Sequence, residues 1–331
     1  MTKTHTAIGK ILAHREWILA AIIVVMTAGI GTQEPFFITP NNLSELLDDT
    51  AILIMLAMVQ MLVIVTRCID LSVASNLALT GMIVALVNVA HPDTPALVTL
   101  AMSIGIGAVL GAFNGVLVWL VGIPSIVVTL GTMSIYRGMV FLLSGGEWVN
   151  AHEMTPQFLA FPREVTLGLT TLSWLAIIMI GIIALFCRYS ATGRAIFAIG
   201  GNPKAAVYAG LNVGKYQFIT FCISGAMAGL CGYLWVSRFA VAYTEVALAF
   251  ELQVVAACVI GGISIAGGIG SVWGAVLGAL FLGLIKNALP VLGISPFWQM
   301  AISGGVIVLA VIVNSRSEKQ VGRRILREVH Q

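Results

Sequence analysis

The chain has 331 residues, 59% of them hydrophobic and 9% charged, with a mean hydropathy of +1.01. No soluble domain of that size can hide so much apolar surface, so the composition excludes a water-soluble enzyme or binding module and points to an all-α polytopic membrane protein whose solvent is the lipid bilayer. The net charge of +3 says little; where the charges fall says more.

With spans of about 20 residues each, the apolar stretches predict about ten transmembrane helices, at 16–33, 49–67, 71–90, 95–121, 124–144, 169–187, 216–237, 246–264, 270–286 and 297–314. The first follows Lys3, Lys10 and Arg15 and has no small-x-small cleavage pattern before Gln33, so it reads as a span and not as a signal peptide. An even number of crossings puts both termini on one side. Under this threading 13 of the 17 lysines and arginines lie on that side: three before the first span, Arg67, four between 188 and 216, and five in the tail 315–331. The outer loops and outer helix ends hold 10 of the 14 acids. Basic residues beside spans are retained in the cytoplasm, which places the N- and C-termini there.

The first outer segment, 33–49, is polar and acidic with turns at Pro35 and Pro40, and reads as a loop. After the second span comes RCIDLSVASNLALTG, where Arg67 can pair with Asp70 and Asp70 can cap the third span through the amides of Ser72 and Val73. Ser72, Asn76 and Thr80 follow at a spacing of four and share one helical face; such a face meets either a packed neighbour or a wet pathway. Asn114 and Thr129 are further uncharged polar groups inside spans and, with Asp70, are candidates for the same pathway. Arg137 lies deep in the fifth span, where a charge is costly unless paired, and serves either a helix contact or a substrate.

The outer segment 145–166, with Glu147, Trp148, His152 and Glu153, is long enough to be a docking platform as well as a connector. The polar stretch 188–216 carries Arg188, Arg194, Lys204 and Lys215 without an acid. Within it Asn202 is a good N-cap, Pro203 suits the first helical position, and Gly210 tolerates a helix-ending positive φ. These signals predict a short cytoplasmic helix, Asn202 to Gly210, whose Ala205, Ala206, Val207 and Tyr208 form an apolar surface in need of a partner. Glu251 and Gln253, near the outer end of the eighth span, suit a mouth position; Arg238 and Lys286 are near span ends, where long side chains snorkel. The run GGISIAGGIGS, 261–271, reads as a tight inner turn.

The string GAVLGA occurs at 107–112 and again at 274–279, each time among glycines spaced by four that let helices approach closely. The copies are five spans apart, so they cross the membrane in opposite senses, as two inverted-repeat halves at about 16–144 and 169–314 would. All five histidines lie outside the spans and no helix carries a row of acids, which leaves an ion-coupled carrier without its coupling groups. No GxxxxGK[ST] loop is present, and Cys68, Cys187, Cys222, Cys231 and Cys258 have no CxxC spacing and no histidine beside them. No cofactor or metal is therefore expected.

Four strings resemble a known family in order along nearly the whole chain: CIDLSVAS, IPSIVVTLGTMSIYRG, GRAIFAIGGNPKAAVYAGLNV and ELQVVAACVIGGISIAGGIGSVWGAVLGA. They are similar to the permease subunits of ribose-type ABC sugar importers. Ala74 with Ser75 stands where that family usually has glycine then serine. The resemblance implies a single transmembrane permease domain over 1–331 in a bacterial inner membrane, with no enzymatic activity of its own and no nucleic-acid partner. It implies a second permease, identical or homologous, two cytoplasmic ATPase subunits and an extracytoplasmic sugar-binding protein. Under it Asn202, Pro203, Lys204, Ala205, Ala206, Val207, Tyr208, Ala209 and Gly210 look like the helix that couples to the ATPase. RGMVFLLSGGEWVN looks most like the permeases for rhamnose and for autoinducer-2, so the expected substrate is a neutral sugar such as rhamnose, with autoinducer-2 or ribose as alternatives. An ion-coupled secondary carrier is the reading from another class.

Overall fold

Helices in this chain mostly start at a small polar residue placed just before an apolar run, Asn202 among them as expected. In the computed structural model, which describes residues 15–295, 297–299, 301, 302, 304, 305 and 308, the hydroxyl or amide oxygens of Thr39, Thr170, Ser190, Asn202, Asn212 and Ser271 each accept a backbone N–H from the first turn of the helix that follows. Among the described residues, eight helices are long and apolar enough to cross a membrane. They are α1 (Arg15–Gln33), α2 (Pro40–Val65), α3 (Val73–Ala90), α4 (Ala96–Trp119), α5 (Ser125–Ser144), α7 (Thr171–Tyr189), α10 (Val213–Phe239) and α12 (Val272–Val291). Shorter helices are α6 (Pro156–Ala160), α8 (Ala191–Gly201), α9 (Pro203–Tyr208) and α11 (Phe250–Ile260). Strand content is slight: β1 (Val149–Asn150) pairs with β4 (Val241–Ala242), and β2 (Val165–Thr166) with β3 (Leu169–Thr170).

Two expectations are corrected. The outer segment 33–49 is not a loop throughout, because Thr39 caps and Pro40 starts α2 nine residues before the apolar window begins. The eighth apolar stretch, 246–264, is not a full span: α11 has 11 residues and rises about 16 Å, half of a bilayer core. It starts late because Val241 and Ala242 are taken into a strand pair and Ala247 and Ala249 have φ of 53° and 59°, which no α-helix includes. It stops at Gly261 and Gly262, the latter with φ 83°. The tail 315–331, Lys3, Lys10 and most of the tenth stretch, 297–314, lie outside the described residues.

The core is built along α2. From Ala51 to Val65 its residues are at most 5% exposed, so this helix is covered on every side, as a helix apolar all round must be. Its neighbours include α10, α12, α11 and α7; α10 in turn packs on α4 and α3, α3 on α4, α11 on α12, and α1 on α12. The repeated glycines make close backbone approaches. A β-carbon added to Gly225 of α10 would stand 2.7 Å from the Cα of Gly111, and one on Gly107 of α4 would stand 2.7 Å from the Cα of Gly229. In the second copy Gly278 of α12 faces Ala257 and Gly261 at the end of α11.

Candidate functional site

The most exposed apolar feature on the 188–216 side is α9. Asn202 does two things there: its N–H closes α8 on Ala198 O at 3.2 Å, and its side-chain oxygen accepts from Ala205 N at 3.1 Å to open α9. Pro203 stands in the first turn, and Gly210, with φ 81°, ends the element. The helix is 6 residues long, far too short to be stable alone, and is held by its cap and its seat. Tyr208 is 92% and Val207 59% exposed, and Lys204, Ala205 and Ala209 are also exposed. Ala206 is a correction: expected on the outward surface, it is buried at 5%, and its carbonyl accepts from Leu211 N at 3.0 Å. The apolar knob is therefore Val207 with Tyr208. The sequence predicts only α9 within the polar stretch 188–216, and the preceding helix α8 is not among its expected elements. The usable signal was Ser190, whose hydroxyl accepts from Gly193 N at 2.8 Å.

Directly against α8 lies the turn from α2 to α3. Arg67 does not pair with Asp70. Its Nε donates to Gly200 O at 2.8 Å and an Nη to Gly201 O at 3.2 Å, while Gln217 of α10 donates to Thr66 O at 3.2 Å. Asp70 is buried and accepts from Ser72 N at 2.9 Å, Ser72 Oγ at 2.6 Å and Ser224 Oγ at 3.0 Å. The Ser72 amide bonds Asp70 as expected, but Ser72 is itself the N-cap residue of α3 and the helix start has no side-chain cap bond, so Asp70 holds the turn before the helix and does not cap it. Three hydrogen bonds from neutral donors satisfy a carboxylate that has no ion-pair partner among the described residues.

A polar seam continues from this point between α3, α4, α5 and α10. Asn114 donates to Ser72 Oγ at 2.8 Å, Asn76 to Gly107 O at 3.2 Å, and Thr80 to Asn76 O at 2.8 Å within α3. Thr129 of α5 donates to Ile69 O at 3.2 Å, and Ser125 Oγ accepts from Ile69 N at 3.2 Å, strapping the start of α5 to the same turn. Ser72, Asn76, Thr80, Asn114 and Thr129 are all buried in helix contacts. The side-chain oxygens of Asn76 and Asn114 have no partner.

Arg137 and the α11 pair sit elsewhere, toward the opposite side. The Arg137 guanidinium donates to Val246 O at 2.6 Å, Ala247 O at 3.0 Å and Thr244 O at 3.4 Å, clasping the turn that delays α11. Glu251 and Gln253, both half-buried, follow in the first turn of α11, and the charge of Glu251 acts on Arg137. On the same side, Arg238 pairs with Asp49 at 2.5 Å, and Lys286 and Asn287 join Glu45 and Trp235 around a cavity of about 470 Å³. Arg238 and Lys286 thus line polar space instead of merely reaching past the span ends. The segment 145–166 is seated on α10: Phe158 O accepts from Tyr233 Oη at 3.1 Å and Ser237 Oγ at 2.5 Å, and Asn88 exchanges two 2.9 Å bonds with Thr155. Its exposed rim carries Trp148 and Val165, and Leu167, with φ 53°, follows directly at the hairpin tip. The Asn150 N–H donates to Glu153 at 2.7 Å and holds that carboxyl below its usual range.

Among the described residues no group of three or more histidines, cysteines or acids is placed to hold a metal, and all five cysteines are free.

Comparison with known proteins gives a consistent result. Residues 42–311 match the family model described as "Branched-chain amino acid transport system / permease component". The chain is 34% identical over 321 residues to the ribose import permease protein RbsC of Escherichia coli K12, covering 95% of this chain and 99% of that one. It is 32% identical over 311 residues to the autoinducer 2 import system permease protein LsrC of E. coli K12 / DH10B, covering 94% and 89%, and to LsrC of Shigella flexneri at the same identity. No solved structure matches the chain.

Proposed function

The chain belongs to the family of branched-chain amino acid transport system permease components, and from that premise we propose that it is the membrane permease of an ABC-type importer for a neutral sugar or sugar-like molecule. Ribose and autoinducer-2 are the leading substrates, because similarity to permeases named for them runs over nearly the whole chain. Rhamnose ranks below them, since it rests on the single string at 137–150.

The observation that carries the proposal is α9: a capped, six-residue helix with a tyrosine 92% exposed on the side where the basic residues collect. That side is the cytoplasm by the retention of basic residues, and α9 is the contact for a cytoplasmic ATPase. The opposite rim, with Trp148 and Leu167, receives an extracytoplasmic sugar-binding protein. A second permease packs on the outward face of α5, where Gly131, Ser134 and Gly138 are exposed and small enough for close helix approach. For the pathway we propose the polar seam of Ser72, Asn76, Thr80, Asn114 and Thr129; the two unpartnered amide oxygens are acceptors that a hydroxyl of a passing sugar can satisfy. Glu251 and Gln253 stand at its outer mouth. Uncharged groups suit a neutral cargo that must not be held tightly.

Tyr208→Asp is the test. It places a charge where an apolar surface is to be desolvated, so affinity for the ATPase should fall at least about tenfold. The helix's own seat, made by Ala206 and the Asn202 cap, is untouched. Retention of the ATPase on the purified variant at wild-type stoichiometry would remove α9 from this role.

A further inference from the structure

We propose that Arg67 is the positioning residue through which α9 acts on the membrane core. This rests on the reading of α9 as the ATPase contact. Three segments distant in sequence meet at Arg67 with almost no side chain between them. Gly268, in the turn before α12, donates its N–H to Val65 O at 2.9 Å, and a β-carbon on Gly268 would stand 2.6 Å from the Cα of Gly201. A β-carbon on Gly200 would run into the same Val65 carbonyl and stand 2.8 Å from Gly268 N. The end of α2, the end of α8 and the turn at 261–271 are thus in backbone contact, and one cannot shift without the others.

Arg67 closes this joint. Its two bonds go to the carbonyls of Gly200 and Gly201, the last residues of α8, which carry the negative end of that helix's dipole. Arg67 itself has φ 66°, a left-handed conformation unfavourable for a residue with a β-carbon. Gly201 is followed by Asn202, the cap of α9, so a displacement of α9 reaches Arg67 through two residues of backbone. On the other side Arg67 stands three residues before Asp70, whose carboxylate gathers Ser72 of the α3 cap and Ser224 of α10, and through Ser72 reaches Asn114 of α4. Its partners in the joint are the carbonyls of a helix end, and nothing in this arrangement uses the guanidinium to pair a buried acid. The fork geometry is the point: a guanidinium can serve two adjacent carbonyls at fixed angles, whereas an ammonium is a point donor.

The experiment uses the whole complex in proteoliposomes, with whichever of ribose, autoinducer-2 and rhamnose the wild type transports. Arg67→Lys keeps the charge without the fork; Arg67→Gly removes the side chain and relieves the positive φ. Both variants should retain the ATPase and hydrolyse ATP, while sugar moved per ATP falls about tenfold, the factor expected from losing charge-assisted bonds in the transmission path. A wild-type ratio in either variant overturns the inference. Loss of the assembled complex in both variants overturns it as well, by making Arg67 a static strut. Tyr208→Asp, measured in parallel, separates the two readings: if it releases the ATPase while the Arg67 variants keep the wild-type ratio, only the inference about Arg67 falls, and if it retains the ATPase, both fall.

Discussion

Replacing Gly225 by leucine should prevent assembly of the membrane domain. Gly225 lies in α10 at the crossing with α4, and a β-carbon there would stand 2.7 Å from the Cα of Gly111 and 2.8 Å from its nitrogen, besides meeting the carbonyl of Gly107. The obstacles are backbone atoms, so no side chain can rotate out of the way. In a bilayer the two helices have no hydrophobic drive toward each other and are held by close packing, which a leucine forfeits along the whole crossing. The Gly107 carbonyl also accepts from Asn76, so separating α4 from α10 strips α3 of a bond too. The expected loss is about 3 kcal/mol or more, read as the absence of a monodisperse species in detergent. Gly105→Leu, at a glycine of α4 with nothing within 4 Å of a β-carbon, is the matched control and should purify normally. Equal yield and thermal midpoint for the two variants would contradict the packing described here.

Arg137→Met should destabilise the protein before it affects any sugar contact. The guanidinium donates to the carbonyls of Thr244, Val246 and Ala247, in a turn where Ala247 and Ala249 hold left-handed conformations. Methionine leaves those carbonyls without a donor in a poorly solvated place, at a combined cost of about 3 kcal/mol. Arg137→Lys should recover part of this, since one ammonium cannot reach all three acceptors. The measurement is the thermal midpoint of the purified protein beside its transport rate. An unchanged midpoint with slow transport would make Arg137 a substrate contact instead of a clasp.

The contrast between these residues shows what the sequence discloses. The α9 element was legible because its start and stop are local: Asn202, Pro203 and Gly210 act within a turn of themselves. Spans α3, α4 and α5 were legible because length and apolarity suffice for them. The shortness of α11 was hidden, since alanines at 247 and 249 carry no mark of a positive φ; the cause is tertiary, the pull of Arg137 and of β1 on that turn. Arg67 invited pairing with the nearby Asp70, and its true partners lie 133 and 134 residues away. Helix α8 was hidden because Gly193 and Gly200, which let its backbone approach its neighbours closely, carry no local helix signal. Ala206 was misplaced for a related reason, as a six-residue helix of small apolar residues has no periodicity to separate its inner from its outer face.

The central claim is that this chain passes a sugar across the membrane only when an ABC ATPase drives it. The direct measurement is uptake of radiolabelled ribose or autoinducer-2 into proteoliposomes, with ATP trapped inside, a sugar-loaded binding protein outside, and the ATPase subunit present or omitted. Uptake that requires ATP, the ATPase and the binding protein together, and that is indifferent to proton or sodium gradients, is the result expected here. Uptake by the permease alone that follows an ion gradient would contradict it.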